Sequence, residues 1–186
     1  RHFRDTVENP VSLLEEKIRF LLGSTLAALS ELSNGESVPM WGVIPTEKNR
    51  VKFDRMSPGD RVLFSGNGKI FATAKVSMKF ENDQLARHLW GLEDEGRGPT
   101  WSLMFALEDV KDADIPYIEF NRAVGYSDNF VIQGFNILNE ERSQKFEAAF
   151  FQEGETHEGA LPPPWSQILP QSWLLTTYGG DHSQST

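Results

Sequence analysis

Two neighbouring segments of the chain have the apolar pattern of β-strands and are joined by a tight turn. Residues 61–64 and 69–78 alternate or run apolar, with β-branched and aromatic side chains that favour strands. Ser65-Gly66-Asn67-Gly68 between them has the composition of a hairpin turn, and Pro58-Gly59-Asp60 before them that of a chain reversal. This pattern predicts a β-hairpin of the kind found in small barrels.

Further strands are predicted from apolar runs that Gly, Pro and polar residues interrupt. They lie at 38–45, 101–107, 129–132 and 134–138, with a turn at 110–115.

Helical periodicity predicts an amphipathic helix over about 10–33, kinked near Gly23 and ended by Ser33-Asn34-Gly35. It would be either a lid on the barrel or a connection to something upstream. Shorter helices are predicted at 84–89 and 117–123. A further helix is predicted over 140–151, with Asn139 as its N-cap.

The fold class predicted from these elements is α+β, a small twisted barrel flanked by helices. Three parts are expected: an N-terminal helical segment at 1–37, a barrel with its closing helix at 38–153, and a C-terminal tail at 154–186. The tail carries three consecutive prolines. It is either ordered against the barrel through Trp165 and Trp173 or is a linker.

Length and composition are those of an ordinary globular domain with appendages. The 186 residues are 39% hydrophobic and 24% charged, and no apolar run is long enough to cross a bilayer. Cysteine is absent, which excludes disulfides and thiolate chemistry and fits a reducing, cytoplasmic compartment. No signal peptide is visible, and because the chain begins with Arg1 we expect a trimmed or partial sequence.

The net charge of −9 argues against a generic nucleic-acid binder, but the charge is uneven. Residues 45–79 hold eight basic against three acidic side chains, a net of +5, whereas 80–140 is acidic. One basic face is what local phosphate contact needs. The same lysines are equally compatible with a solvated strand surface that protects sheet edges.

Known catalytic constellations are missing from the sequence. The four histidines have no zinc-ligand spacing, and no nucleophile elbow, Walker loop or nuclease motif is present. Ser65 to Lys69 is better explained as a hairpin turn than as a phosphate loop, and Glu93-Asp94-Glu95 as a solvated loop. The chain is therefore predicted not to be an enzyme, with no cofactor and no metal.

Aromatic residues supply the remaining candidate chemistry. Trp41, Trp90, Trp101, Tyr117 and Tyr126 fall at predicted strand ends or loop margins. Flat side chains at a barrel mouth can sandwich a base. Alternatively, they sit at margins because their rings favour burial while their N–H and O–H groups need partners.

An ordered set of motifs over about 38–140 resembles a PUA-like barrel of the EVE and YTH group. Trp41-Gly-Val-Ile-Pro45 resembles the opening strand, and Met56-Ser-Pro-Gly-Asp-Arg-Val-Leu-Phe64 the strand common to the superfamily. Lys69 to Val76 resembles the returning strand. Trp101 to Phe105 and Gly125 to Phe135 resemble later strands of EVE-like readers, several of which belong to modification-dependent restriction systems.

The resemblance implies a DNA-binding module that flips a modified base, such as 5-methylcytosine or N6-methyladenine, into an aromatic pocket. A nuclease or NTPase on another domain or subunit would then perform the reaction. The residues implied to line the base pocket are Trp41, Ile44, Pro45, Thr46, Ser65, Asn67, Trp90, Trp101, Tyr126 and Asn129. Those implied to hold backbone phosphates are Lys48, Arg50, Lys52, Lys69 and Lys79.

Other functions are also compatible with these residues. An RNA-binding YTH- or PUA-type reader would use 2′-hydroxyl contacts on a single strand. In a small-ligand or protein-interaction barrel the aromatics would belong to the core and the basic face would be incidental. A hydrolase on a related barrel is disfavoured because the catalytic constellation is missing.

Overall fold

A computed structural model describes residues 2–92, 98–151 and 173–177. The protein is a mixed α+β fold in which a six-stranded sheet curls into a half-barrel with helices packed around it. The α+β class predicted from the sequence is therefore confirmed. No helix in the described ranges has both the length and the apolar character needed to cross a membrane.

The N-terminal region departs from the single helix predicted over 10–33. A π-helical turn at Arg4–Glu8 precedes strand β1 (Val11–Ser12), and only then do helices α1 (Glu16–Leu22) and α2 (Thr25–Leu32) begin. The predicted kink at Gly23 is a complete break between the two helices. The start of the predicted helix is wrong because Val11 pairs with Val38 of strand β2 (Ser37–Val38) in a separate two-stranded sheet.

The predicted hairpin is confirmed. The first strand of the large sheet is β3 (Met40–Val43). The next two, β4 (Arg61–Gly66) and β5 (Lys69–Glu81), form the hairpin and pair antiparallel. Asn67 and Gly68 both have positive φ, 51° and 80°, as a two-residue type I′ turn requires. Asp60 closes the preceding turn by accepting the backbone N–H of Ser57 at 2.8 Å.

The segment after β3 is a helix that the sequence patterns did not predict. Helix α3 (Glu47–Arg55) begins at Thr46, whose hydroxyl accepts the backbone N–H of Asn49. Helix α4 (Asp83–Trp90) is N-capped by Asn82 and ends before Gly91, close to its predicted bounds.

Strand β6 (Leu103–Pro116) begins in the predicted buried run but continues through 110–115, so the turn predicted there is wrong. Its long pairing with β5 absorbs three register shifts, which the local sequence does not reveal. Helix α5 (Tyr117–Val124) follows, as predicted.

The strand predicted at 129–132 is wrong. The Asn121 side chain donates to the carbonyls of Asp128 and Phe130 and holds this stretch as a loop. Strand β7 (Phe135–Ile137) lies within the run predicted to close the core, and helix α6 (Glu140–Phe150) starts at its predicted cap, Asn139.

The sheet order is β3-β6-β5-β4-β8-β7, where β8 (Trp173–Thr177) comes from the predicted C-terminal tail. Strand β8 lies between β4 and β7, parallel to β4 and antiparallel to β7. It therefore connects the hairpin to the edge strand β7. Sequence reasoning did not predict this strand. The other tail residues, with Trp165 and the prolines, and the acidic loop at 93–97 lie outside the described residues.

Alternation along the strands divides the core between the two faces of the sheet. The inner face, defined here as the one that carries Val62, Phe64 and Phe105, also buries Trp41 and receives Phe3 from the N-terminal turn. The outer face carries two separate clusters. One packs helices α1, α2 and α4 against Met40 and Met104, and the other packs α5 and α6 against Leu63 and Leu175.

Candidate functional site

The residues predicted to line one base pocket lie in several separate places. Trp41 lies on the inner face, Ser65 is also buried, and both bond to Thr176 of β8. The Trp41 Nε1–H donates to the Thr176 hydroxyl at 3.1 Å, and the Ser65 hydroxyl to the Thr176 carbonyl at 3.3 Å. These two side chains therefore help to hold the sheet together, and neither faces an open pocket.

Ile44, Pro45 and Thr46 form the connection from β3 into α3. The Ile44 carbonyl accepts the Asn49 side-chain amide at 3.0 Å, and Thr46 is the helix cap. Asn67 is exposed at the tip of the β4–β5 hairpin. The roles shown for these four residues are local, in a helix start and a turn.

Tyr126 packs in the outer cluster of α5 and α6, while Asn129 is exposed in the loop that follows. The Tyr126 ring stacks on Phe130 at 4.2 Å between centroids, and the Arg142 guanidinium lies 4.6 Å from the same centroid. Because both groups are this close to the ring centre, they occupy the stacking surfaces that a base would need. Tyr126 lies in the cluster of α5 and α6, whereas Trp90 packs in the other outer cluster, with α1, α2 and α4. The structure therefore does not bring Tyr126 to Trp90 and Trp101.

Trp90 and Trp101 are brought together, as the proposed pocket requires. Trp90 ends α4 and Trp101 precedes β6, and both rings contact the imidazole of His2. The His2 ring is parallel to Trp90 within 10°, with centroids 6.2 Å apart, and meets Trp101 at 4.5 Å and 69°. We call these three residues the outer aromatic cluster. All three are half-buried.

A close approach to β3 positions the outer aromatic cluster. A Cβ at Gly42 would lie 2.3 Å from the Trp101 carbonyl and 2.7 Å from the Trp90 ring, so no larger residue fits at this position without a shift. The Trp90 Nε1–H donates to the Thr6 hydroxyl at 3.3 Å, and that hydroxyl is 2.7 Å from the Met40 carbonyl. Sequence reasoning missed His2 and Gly42, because the contacts that matter join residues about 40 to 100 positions apart.

Most of the predicted phosphate-binding side chains already have intramolecular partners. Arg50 makes a two-bond ion pair with Glu81, both contacts at 3.0 Å, and Lys69 pairs with Asp114 at 2.7 Å. Lys79 donates to the carbonyls of Phe53 and Asp54 at 2.9 Å, at the C-terminal end of α3 where a cation is favoured. Within the described ranges Lys48 is exposed and makes no hydrogen bond or ion pair.

Lys52 is one of the two half-buried cations in this set, with Lys79. Its Nζ donates to the Phe135 carbonyl at 2.5 Å and to the Asn136 side chain at 2.9 Å, which ties α3 to β7. Burial, with a smaller contribution from Lys48, lowers the pKa of Lys52. Conversely, the hydrogen bond to Arg50 lowers the pKa of Glu81. Both pKa shifts arise from burial and from contacts within the protein, so they are as consistent with a structural role for these residues as with phosphate binding.

No group of three or more His, Asp or Glu side chains that could hold a metal ion occurs among the described residues. Comparison with models of protein families, with curated protein sequences and with solved structures found no match for this chain.

Proposed function

We propose that this chain is a nucleic-acid-binding module of the PUA-like, EVE or YTH kind, which takes a flipped, methylated DNA base between Trp90 and Trp101. The base would replace the imidazole of His2. The outer aromatic cluster carries the proposal, because its two tryptophans already hold one planar, nitrogen-containing ring, parallel to one indole and edge-on to the other. A nucleobase is also a planar, nitrogen-containing aromatic ring, and it is larger than imidazole.

The energetics of such a site are favourable only if the base is cheap to extrude. Stacking on an aromatic side chain contributes about 1–3 kcal/mol per base. Flipping costs a few kcal/mol, and least for a base that is already unpaired. Two tryptophans therefore roughly offset the cost, and further contacts to the backbone must supply net affinity.

Selectivity for a methylated base follows from the apolar character of the indole walls. A buried methyl group contributes about 0.8 kcal/mol, and somewhat more when the enclosing surface fits it closely. This corresponds to roughly a four-fold preference over the unmodified base. The module would recognise modified sites without catalysing a reaction there. We propose that a nuclease or NTPase on another domain or subunit performs the reaction, in the cytoplasm.

In this proposal Lys48 is the first candidate to contact the phosphates of the nucleic-acid backbone, because it is the predicted phosphate ligand without a partner in the described part of the chain. Arg50 and Lys69 sit in exposed ion pairs, which exchange readily with other anions. Lys52 and Lys79 would have to leave backbone carbonyls, so we expect them to contribute least.

The test is fluorescence anisotropy with matched DNA duplexes that carry cytosine, 5-methylcytosine, 5-hydroxymethylcytosine or N6-methyladenine, repeated with single-stranded RNA. We expect one modified duplex to bind most tightly. Trp101→Ala should weaken that binding about 5- to 150-fold, which corresponds to the loss of one stacking contact. Phe20→Ala is the control, because Phe20 is 80% exposed on α1 and is not in the outer aromatic cluster.

Equal, weak binding to all probes would exclude base recognition and leave a small-ligand or protein-interaction barrel. Preference for the RNA probe would convert the proposal to an RNA reader. Thermal unfolding of each variant separates a lost contact from a lost fold, since only the former leaves the melting temperature close to that of the parent chain.

A further inference from the structure

A small cleft lies on the outer face of the sheet, over strands β4, β5 and β6. It has a volume of about 60 Å³ and is lined by Arg61, Thr73, Ala74, Lys75, Asp109, Lys111 and Phe151. Arg61 and Lys75 are register partners on β4 and β5, and Thr73 and Lys111 are register partners on β5 and β6. Three adjacent strands thus direct three cations to one spot.

This arrangement concentrates like charge. Two cations directly opposite each other on an antiparallel pair destabilise it, and Arg61 faces Lys75 in this way. Among the described residues one carboxylate lines the cleft: Asp109 contacts Lys111 Nζ at 3.0 Å and Lys75 Nζ at 3.4 Å. The described side chains that line the cleft, three cations and Asp109, therefore carry a formal net charge of +2.

The backbone is bent to place that carboxylate. At a register shift, Asp109 and Val110 of β6 lie opposite the single residue Ala74 of β5, which is the residue count of a β-bulge. Asp109 adopts φ 52°, a left-handed conformation that is uncommon outside glycine. Its hydrogen bonds to Lys111 and then to Lys75 hold its pKa below the ordinary value, so it is ionised at neutral pH.

We propose that this cleft is an anion site for a phosphate group, with Lys75 and Lys111 as its charged ligands and the Thr73 hydroxyl beside them. The volume suits a single tetrahedral anion, since a pocket for a whole small molecule is about 300–1,000 Å³. Phe151 forms one wall, with the Arg61 guanidinium 5.6 Å from its ring centroid. None of the cleft cations is among those predicted from the sequence to hold phosphates.

The phosphate comes either from a nucleic-acid backbone or from a free phosphorylated ligand. The first source rests on the proposed function. In that case the cleft adds a second contact on the sheet face that also supports the outer aromatic cluster, because Trp90 packs with Met40 and Met104 on the same face as Thr73 and Lys75.

The first arm of the test titrates the chain with inorganic phosphate at constant ionic strength and follows backbone amide shifts by NMR. We expect saturable shifts at residues 73–75 and 109–111. The double variant Lys75→Gln/Lys111→Gln should weaken binding at least five-fold. Asp109→Asn should strengthen it, because that change removes the competing carboxylate while asparagine still tolerates the positive φ.

The matched control is Lys17→Gln/Lys145→Gln, which changes the net charge equally at two exposed lysines outside the cleft. It should leave the phosphate titration unchanged. If phosphate causes no saturable shifts at the cleft, or if the control weakens binding as much as Lys75→Gln/Lys111→Gln does, the anion site is refuted.

The second arm identifies the source of the phosphate with an unmodified DNA duplex, so its result does not depend on recognition of a modified base. The slope of log affinity against log salt should become shallower by about 1.8 in Lys75→Gln/Lys111→Gln if both lysines contact backbone phosphates. An unchanged slope with intact phosphate binding assigns the site to a free phosphorylated ligand and refutes its use by DNA.

Discussion

Strand β3 separates two tryptophan environments that differ in almost every respect. Trp41 points to the inner face, is 6% exposed, and is fixed by a hydrogen bond to Thr176 and an edge contact with Phe64 at 5.2 Å. One residue further along β3, Gly42 allows Trp90 and Trp101 to approach the outer face closely. Both of their rings contact His2, and all three side chains are half-buried. A tryptophan at a predicted strand margin is thus either core or candidate site, and the face of the strand decides which.

Removal of Trp41 should have the largest effect on stability. Trp41→Ala leaves a cavity in the inner core and an unpaired Thr176 hydroxyl, so we expect the free energy of unfolding to fall by about 3–5 kcal/mol. Trp101→Ala, on the half-buried side, should cost clearly less. Urea unfolding of both variants measures the difference, and equal losses would mean that the outer aromatic cluster is as structural as the inner core.

Gly42→Ala tests whether the outer aromatic cluster depends on the close approach to β3. The added methyl group would meet a backbone carbonyl at 2.3 Å and the Trp90 ring at 2.7 Å. We expect a loss of about 1–3 kcal/mol from overpacking, with a change in the near-ultraviolet circular dichroism of the tryptophans. In a Trp90→Ala background the loss should shrink, since the carbonyl clash alone is left. An unchanged loss would assign the whole cost to the backbone.

Thr176→Val tests the hydrogen bond that distinguishes Trp41 from the outer tryptophans. The variant keeps the shape of the side chain but leaves the buried Trp41 Nε1–H without its acceptor, so we expect a loss of about 1–2 kcal/mol. In a Trp41→Phe background the same change should cost much less. A double-mutant cycle by chemical denaturation measures the coupling, and a coupling near zero would contradict the assigned role of the bond.

His2→Ala should have the smallest effect on stability, and it should strengthen binding of the modified duplex. Aromatic contacts of this kind contribute about 0.5–1.5 kcal/mol, which a base would no longer have to displace. The favoured modified duplex should therefore bind about 2- to 10-fold more tightly, measured by anisotropy. Weaker binding would show that His2 belongs to the recognition surface rather than occupying the base position.

Local signals predicted those elements whose hydrogen bonds close within a few residues. The Asn67-Gly68 turn needs only two residues with positive φ, and the helix starts at Asn82 and Asn139 need a side chain that reaches three residues ahead. Helix α3 was missed despite such a cap, because its mostly charged surface shows little apolar periodicity. The turn predicted at 110–115 failed because pairing with β5 overrides the local preference of a polar sequence for a turn.

The candidate site was predictable in type and not in membership. Aromatic residues at element margins were identified, and two of them, Trp90 and Trp101, contact the same imidazole. Trp41, Ser65 and Tyr126 were assigned to the same pocket because sequence order does not show which face of a sheet a residue occupies. A shift of one residue in register moves a side chain to the opposite face, and β5 contains three such irregularities with β6.

The sequence by itself determined the α+β class, the central hairpin, the approximate bounds of helices α4, α5 and α6 and the uneven charge, because these depend on composition and on contacts within a few residues. Only the tertiary structure decided that β8 joins β4, that His2 lies between two tryptophans, and that Arg61, Lys75 and Lys111 share a cleft. The Trp41–Thr176 bond spans 135 positions. Contacts over such separations depend on the packing of the whole chain, and no local pattern encodes them.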